Sequence, residues 1–497
     1  MRWDLDWVEK RSQLTPDKVA IIDGENNNQY TYKELANRAH SFATYLKSKG
    51  VTKGDRVALL CPNDICYFDF LFACMKIGAI FVPINWRLSQ VEIQAIHEDC
   101  TPSLIGYHSR FANLLPPADK IIQVDCEHYE SIFNNNYTAL MDSTLTENDP
   151  LTIIYTGGTT GKSKGVVLTH SNIGWNAINT IVSWSLTESD ITLTYLPLFH
   201  TGGLNALTLP ILLMGGTVLI ARDFNPEYTI DLIEKEKCTI LLMVPTMYHL
   251  ITLSKSFQHA KFESMRTFLS GGAPCPLTIY EAFMEKGIDF KEGYGLTEAG
   301  PNNFYIDPKL SMKKKGSIGM PMMFNKAKIM KHDGTLAKVN EVGELLLFGN
   351  HVFDHYWNNP EATRKAIKNG WLHTGDLARY DEDGYYYIVG RKKEMIITGG
   401  ENVYPLEVEQ CIQNHASVAE VAVVGLPHEK WGEVVTAFVS LYPGHTATEQ
   451  ELKNICLQEL GSYKVPKYFW IIEELPKTHV GKIDKKQLQT QYECFIS

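Results

Sequence analysis

The chain's densest chemistry lies in Tyr155-Thr-Gly-Gly-Thr-Thr-Gly-Lys-Ser-Lys-Gly-Val166, where four glycines, three threonines and two lysines share twelve residues. Gly157, Gly158 and Gly161 can take positive φ at no steric cost, so successive backbone N–H groups can converge on one anion. Thr156, Thr159 and Thr160 add hydroxyl donors, and Lys164 adds a full charge. Such a loop is suited to cradling a polyphosphate. It is not a Walker loop: Thr156 stands where that pattern requires glycine. β-Branched residues follow the loop, whereas a Walker loop opens straight into a helix. A Gly/Thr-rich surface turn would have the same composition, so the meaning of the loop depends on what accompanies it.

The loop must be held by something, and its flanks say what. Apolar residues 151–154 precede it and 166–168 follow, which predicts strand–loop–strand. Before it, Thr31-Tyr-Lys-Glu34 reads as a capping box opening a helix. Residues 56–60 read as a buried strand, Asn63 as the cap of a helix to about residue 76, and 79–82 as the next strand. The same alternation runs on through residues 90–107 and resumes after the loop, from a helix near Ser171 to a strand at 289–293. This predicts an α/β fold with largely parallel sheets. From about Gly316 the texture changes to short strands joined by turns such as His332-Asp-Gly334, and a compact α+β unit closes the chain. The expected architecture is a large N-terminal domain, 1–391, of two packed α/β sheets plus a small β-barrel-like subdomain at about 316–391. A small mobile C-terminal α+β domain, 392–497, completes it.

A chain of 497 residues is too long for one core, in keeping with this division. A net charge of −10 disfavours nucleic-acid binding. The ten cysteines form no CxxC pair, and Met1 leads into polar residues, so a cytoplasmic location is expected. The most apolar stretches, 66–83 and 207–221, are interrupted by Asp69 and Lys76 and by Pro210 and Gly215-Gly216. No transmembrane span is expected, while peripheral membrane contact and a homodimer are compatible with the composition.

Polar motifs interrupt the apolar pattern at strand ends, where α/β proteins place ligands. They are Leu196-Pro-Leu-Phe-His200, Ser270-Gly-Gly-Ala-Pro274, Gly293-Tyr-Gly-Leu-Thr-Glu-Ala299, Trp371-Leu-His-Thr-Gly-Asp376, Gly390-Arg391 and Gly481-Lys482. In content and order, from about Pro16 to Leu488, the set resembles the adenylate-forming superfamily of acyl-CoA synthetases, peptide-synthetase adenylation domains and beetle luciferases. Val82-Pro-Ile-Asn-Trp-Arg-Leu88, Tyr356-Trp-Asn-Asn-Pro-Glu-Ala-Thr363 and Ile397-Thr-Gly-Gly-Glu-Asn-Val-Tyr-Pro405 are most similar to bacterial fatty acyl-CoA synthetases. Two departures are small: Gly157 replaces the usual serine of the loop, and Ser163 the usual proline.

The resemblance implies ATP, Mg2+ and CoA, and a role for each matching residue. Thr156, Gly157, Gly158, Thr159, Thr160, Gly161 and Lys164 would hold phosphates. Glu298 would be the Mg2+ carboxylate, and Thr297 a phosphate-contacting hydroxyl. Tyr294 would stack on adenine, with Gly272, Ala273 and Gly295 nearby. Asp376 would accept from the ribose hydroxyls, and Arg391 would contact ribose or phosphate. Lys482 would bridge the attacking carboxylate and the α-phosphate. These roles meet a chemical need, because a carboxylate attacking ATP brings two anions together. Lys393 matches the family's hinge. Gly399 and Gly400 match a loop that faces CoA once the C-terminal domain has turned.

His200 is expected near the substrate carboxylate rather than in proton transfer. The segment after it, His200-Thr-Gly-Gly-Leu-Asn205, lacks the aspartate that holds an amino-acid ammonium in relatives, so an amino-acid substrate is disfavoured. Gly202, Gly203 and Gly271 are expected to leave room for an apolar tail, which favours a medium- or long-chain fatty acid. An aryl acid, or passage of the acyl group to a carrier protein, stays open.

Overall fold

The computed structural model describes residues 5–134, 141–157, 163–478 and 483–492. Its first sheet has seven strands and forms around the glycine loop. Strand Pro150–Thr156 enters the loop and Lys164–Thr169 leaves it antiparallel, with Thr156 opposite Lys164. Parallel strands Ile80–Pro83, Arg56–Leu60, Leu104–Tyr107 and Ile121–Gln123 extend the sheet on one side. His355–Tyr356 caps it on the other.

A second layer consists of a four-stranded sheet around Val19–Asp23 and Thr217–Ile220 and a parallel three-stranded sheet of Ile240–Met243, Thr267–Ser270 and Phe290–Glu292. Thr239 joins the two, donating its N–H to Ile191 O at 2.8 Å. Between the layers lies Cys66–Ile77, buried along its whole length. The two charges on this helix are neutralised in place. Arg38 donates twice to Asp69, at 2.7 and 2.9 Å, and Lys76 donates to Asp6 at 2.5 Å. Pairing offsets the cost of burying such charges and leaves the helix a core element. Among the described residues no helix is long and apolar enough to cross a membrane.

A further sheet is antiparallel and five-stranded, built from Lys326–Met330, Gly343–Phe348, Trp371–Tyr380, Ile367–Lys368 and Tyr386–Arg391. Its edges are not joined, so the barrel-like expectation is met as a half-barrel. A short 3-10 turn, Lys392–Glu394, leads to the last sheet, dominated by the hairpin Val418–His428 and Gly432–Leu441. His249 stacks on Tyr442 at 4.8 Å across the two parts of the chain.

One local expectation is corrected. Asn63 does not cap the helix that follows it, which begins at Cys66 with no side-chain cap. Its amide nitrogen donates to Leu196 O and Ala221 O, both at 3.1 Å, and its carbonyl accepts from Leu198 N at 2.9 Å. A cap satisfies one orphan donor, whereas here the buried amide satisfies three backbone groups and ties the turn before His200 to the second layer.

Candidate active site

Because Thr267–Ser270 and Phe290–Glu292 are adjacent and parallel, with Ser270 opposite Glu292, the loops that follow them emerge side by side. One carries Gly271, Gly272 and Ala273, the other Tyr294 to Glu298. Gly293 N donates to Ser270 O at 2.8 Å and locks the pair. Gly272 sits at φ 84°, a conformation that a side chain would strain. At Gly295 a Cβ would lie 2.2 Å from Pro301 O, so the second loop closes on itself only with glycine there. Glu292 holds the two loops together by accepting from Cys275 N at 2.7 Å and from the Tyr280 hydroxyl at 2.8 Å. Nothing in the sequence pattern marked this residue.

The half-barrel delivers the next two groups. Asp376 and Arg391 face each other across neighbouring strands, and Arg391 Nε lies 2.6 Å from Asp376 Oδ1. The other oxygen, Oδ2, accepts from the Tyr294 hydroxyl at 2.5 Å. Asp376 is buried while Arg391 is more open. Three residues far apart in sequence thus meet, and all three were expected at the nucleotide. Burial, and then the Asp376 carboxylate, push the Tyr294 phenol well up, so it remains a donor. Arg391 ends its strand, and the 3-10 turn holding Lys393 follows at once.

A second cluster forms on the first sheet. Glu298 lies in the short turn Thr297–Ala299, with Thr297 buried, and its Oε1 accepts from the Tyr356 hydroxyl at 2.7 Å. Lys164 Nζ lies 5.1 Å from the centre of the Tyr356 ring. Burial and the Glu298 charge push the Tyr356 phenol up, which keeps it protonated. No group of three or more His, Cys, Asp or Glu side chains able to hold a metal occurs among the described residues. A lone carboxylate suits Mg2+, which binds through one or two carboxylates, substrate phosphates and water rather than in an all-protein cage. The donor set therefore fits that ion, with Glu298 the residue to hold it.

His200 is exposed and caps a short turn, its Nδ1 accepting from Gly202 N at 3.1 Å. Behind it Leu204–Thr208 winds as a π-helix, a rare form that often marks functional sites. A small cavity of about 10 Å3 lies here, lined among others by Leu193, Leu196, Leu207, Leu242, Gly202 and Gly203. Gly203 has a different reason from the one expected: a Cβ there would lie 2.2 Å from Pro197 O, so its bareness serves backbone packing. At Gly271 a Cβ would meet Leu242 Cδ1 at 3.3 Å. Gly399 and Gly400, at φ 59° and 88°, form the turn between Ile396–Thr398 and Glu401–Val403, against Trp431.

Thr156 and Gly157 stand at the mouth of the glycine loop. Gly158, Thr159, Thr160, Gly161 and Lys482 lie outside the described residues. Asn63 was misread from sequence, and Glu292 and the bond from Tyr356 to Glu298 were missed.

Glu292 carries a pH prediction. Burial outweighs its two donors and pushes the carboxyl from 4.5 up to about 7. Below about pH 4.5 it is neutral folded or unfolded. As pH rises from there to about 7, the unfolded chain releases the proton first, so stability falls, and above about 7 the penalty is complete. Glu292→Gln should therefore stabilise the protein at about pH 8 by on the order of 2 kcal/mol. The gain should fade towards about pH 4.5. Thermal unfolding at several pH values checks this; a gain independent of pH would refute it.

With this geometry in place, comparison with known proteins is informative. The profile for the AMP-binding enzyme family matches residues 8–357, and that for the AMP-binding enzyme C-terminal domain matches 407–482. The chain is 36% identical to a feruloyl-CoA synthase of an Amycolatopsis species over 98% of both sequences. It is 35% identical to an indoleacetate–CoA ligase of Aromatoleum aromaticum over 97% of both. A Mycobacterium tuberculosis fatty acyl CoA synthetase superposes with a TM-score of 0.80 at 32% identity, covering 99% of each chain. O-succinylbenzoate coenzyme A synthetase from Bacillus subtilis, in complex with ATP and magnesium ion, gives 0.87 at 31%, covering 97% of this chain and 99% of that one.

Proposed function

The chain belongs to the AMP-binding enzyme family, and on that footing we propose that it joins a compact apolar carboxylic acid, an aryl or arylalkanoic acid, to CoA at the expense of ATP. The reaction has two halves. The acid's carboxylate attacks the α-phosphate, giving acyl-AMP and pyrophosphate. The CoA thiol then displaces AMP and leaves a thioester.

The observation that carries the reading of the first half is the junction of Tyr294, Asp376 and Arg391. A buried carboxylate at a strand end, flanked by an aromatic ring and a guanidinium, suits a nucleoside: ring on base, acid on ribose, cation on phosphate. Thr156, Gly157 and Lys164 would take the outer phosphates. Mg2+, when bound at Glu298, would offset the phosphate charge. Lys482 would neutralise the attacking carboxylate. Lys393 would let the C-terminal domain turn between halves, and Gly399 and Gly400 would let pantetheine approach the backbone.

The choice of acid rests on likeness to relatives acting on feruloyl and indoleacetate groups, at 36% and 35% identity over nearly the whole chain. A medium- or long-chain fatty acid is the second reading, favoured by the likeness to the mycobacterial fatty acyl CoA synthetase. Each methylene that enters an apolar pocket adds about 0.8 kcal/mol. With straight-chain acids, kcat/KM should thus climb with chain length only as far as the tail finds apolar room. Pyrophosphate exchange across aryl acids and straight-chain acids from butyrate to palmitate tests the choice. Aryl acids are expected to exceed palmitate by at least about tenfold; a steady climb to palmitate would replace this reading with the fatty-acid one.

A further inference from the structure

We infer that Tyr356 is a positioning residue that fixes the metal-facing carboxylate of Glu298 and couples it to the phosphate lysine Lys164, an inference that rests on the reading of the site as an adenylating centre. The backbone brings the three together. His355–Tyr356 pairs antiparallel with Lys164–Thr169, Tyr356 opposite Val166, so the phenol stands on the edge strand beside the one that leads out of the glycine loop. Its hydroxyl donates to Glu298 Oε1 at 2.7 Å, and its ring lies 5.1 Å from Lys164 Nζ.

The support behind the phenol is equally specific. Phe353 packs on its ring at 4.8 Å and donates its N–H to Glu298 O at 2.8 Å. Tyr356 N donates to Thr363 Oγ1 at 3.0 Å. Trp357 N donates to Gly165 O at 2.7 Å, next to Lys164. One short segment therefore grips the Glu298 turn at one end and the exit of the glycine loop at the other. A carboxylate has two oxygens. With Oε1 held by a phenol, the carboxylate keeps its charge but loses rotational freedom, and Oε2 is the oxygen available to a divalent cation. The ring face attracts the Lys164 ammonium and restrains it beside the same ligand.

Tyr356→Phe keeps the ring, its packing and the cation–π contact and removes only the donor. Two readouts test the inference. The first is pyrophosphate exchange as a function of Mg2+, where half-saturation is expected to rise about tenfold with the acid KM unchanged. The second needs no turnover: titration of Mn2+ into protein with ATP, followed by electron paramagnetic resonance, should show a similar weakening. In a Glu298→Gln background Tyr356→Phe should add nothing further to Mn2+ affinity. Unchanged Mn2+ affinity in the single variant, or an equal loss with and without Glu298, overturns the inference. If the wild type exchanges pyrophosphate with no acid at all, it is the proposed function that fails, a result separate from either of these.

Discussion

Lys482→Ala is expected to lower acid-dependent pyrophosphate exchange by about 10²–10³-fold, the cost of removing one group aimed at charge developing in a transition state. Attack on the α-phosphate brings a carboxylate against a polyphosphate, and the resemblance assigns Lys482 the place between them. Lys477 and Ile483 form an antiparallel bridge, and Lys485 lies 2.7 Å from Glu409 and 3.3 Å from Glu394. Lys477, Ile483 and Lys485 thus belong with the C-terminal part and with the turn that joins it to the rest. ATP binding, read as nucleotide-induced thermal stabilisation, should change little, because the base, ribose and outer phosphates have other partners. Normal exchange in this variant would contradict the assignment.

Asp376→Ala is expected to act on ATP binding instead, raising the KM for ATP by about 10²-fold with the KM for the acid little affected. The carboxylate is buried and fully committed, to Arg391 at 2.6 Å and to the Tyr294 hydroxyl at 2.5 Å. On the proposed reading, its loss removes the acceptor for the ribose hydroxyls. It also leaves a guanidinium and a phenol turned towards a missing partner, and an uncompensated buried donor costs more than the bond it made. Steady-state kinetics with ATP and the acid varied separately give the result. Equal effects on both KM values would mean that Asp376 serves the fold and not the nucleotide.

How far such a site can be read from sequence depends on the range of the interactions that build it. The strand–loop–strand around the glycine loop was legible because apolar runs flank it directly, and residues 150–156 and 164–169 do pair across it. The capping box at Thr31 was legible for the same reason: donor and acceptor lie three residues apart. Tyr294, Asp376 and Arg391 were named through motifs. That they share one network depends on the pairing of 371–380 with 386–391, a register that alternation alone does not set.

Asn63 was misread because a polar residue before an apolar helix fits the rule for caps, while its actual partners lie more than a hundred residues away. The same holds for Tyr356, 58 residues from Glu298. Its position in Tyr356-Trp-Asn-Asn-Pro was visible, but not what its hydroxyl touches. Gly203 shows a third kind of failure. A bare residue beside a pocket suggests space for a ligand, yet what it accommodates is the carbonyl of Pro197. Chain length of the substrate was illegible for a related reason, since a pocket for it would be assembled from segments distant in sequence.

The account rests on activation of an acid as its adenylate, and product stoichiometry tests that most directly. Purified protein incubated with ATP, Mg2+, CoA and an accepted acid should release one pyrophosphate and one AMP per thioester formed, with AMP release dependent on CoA. Formation of ADP and inorganic phosphate, or consumption of ATP that ignores the acid, would contradict it.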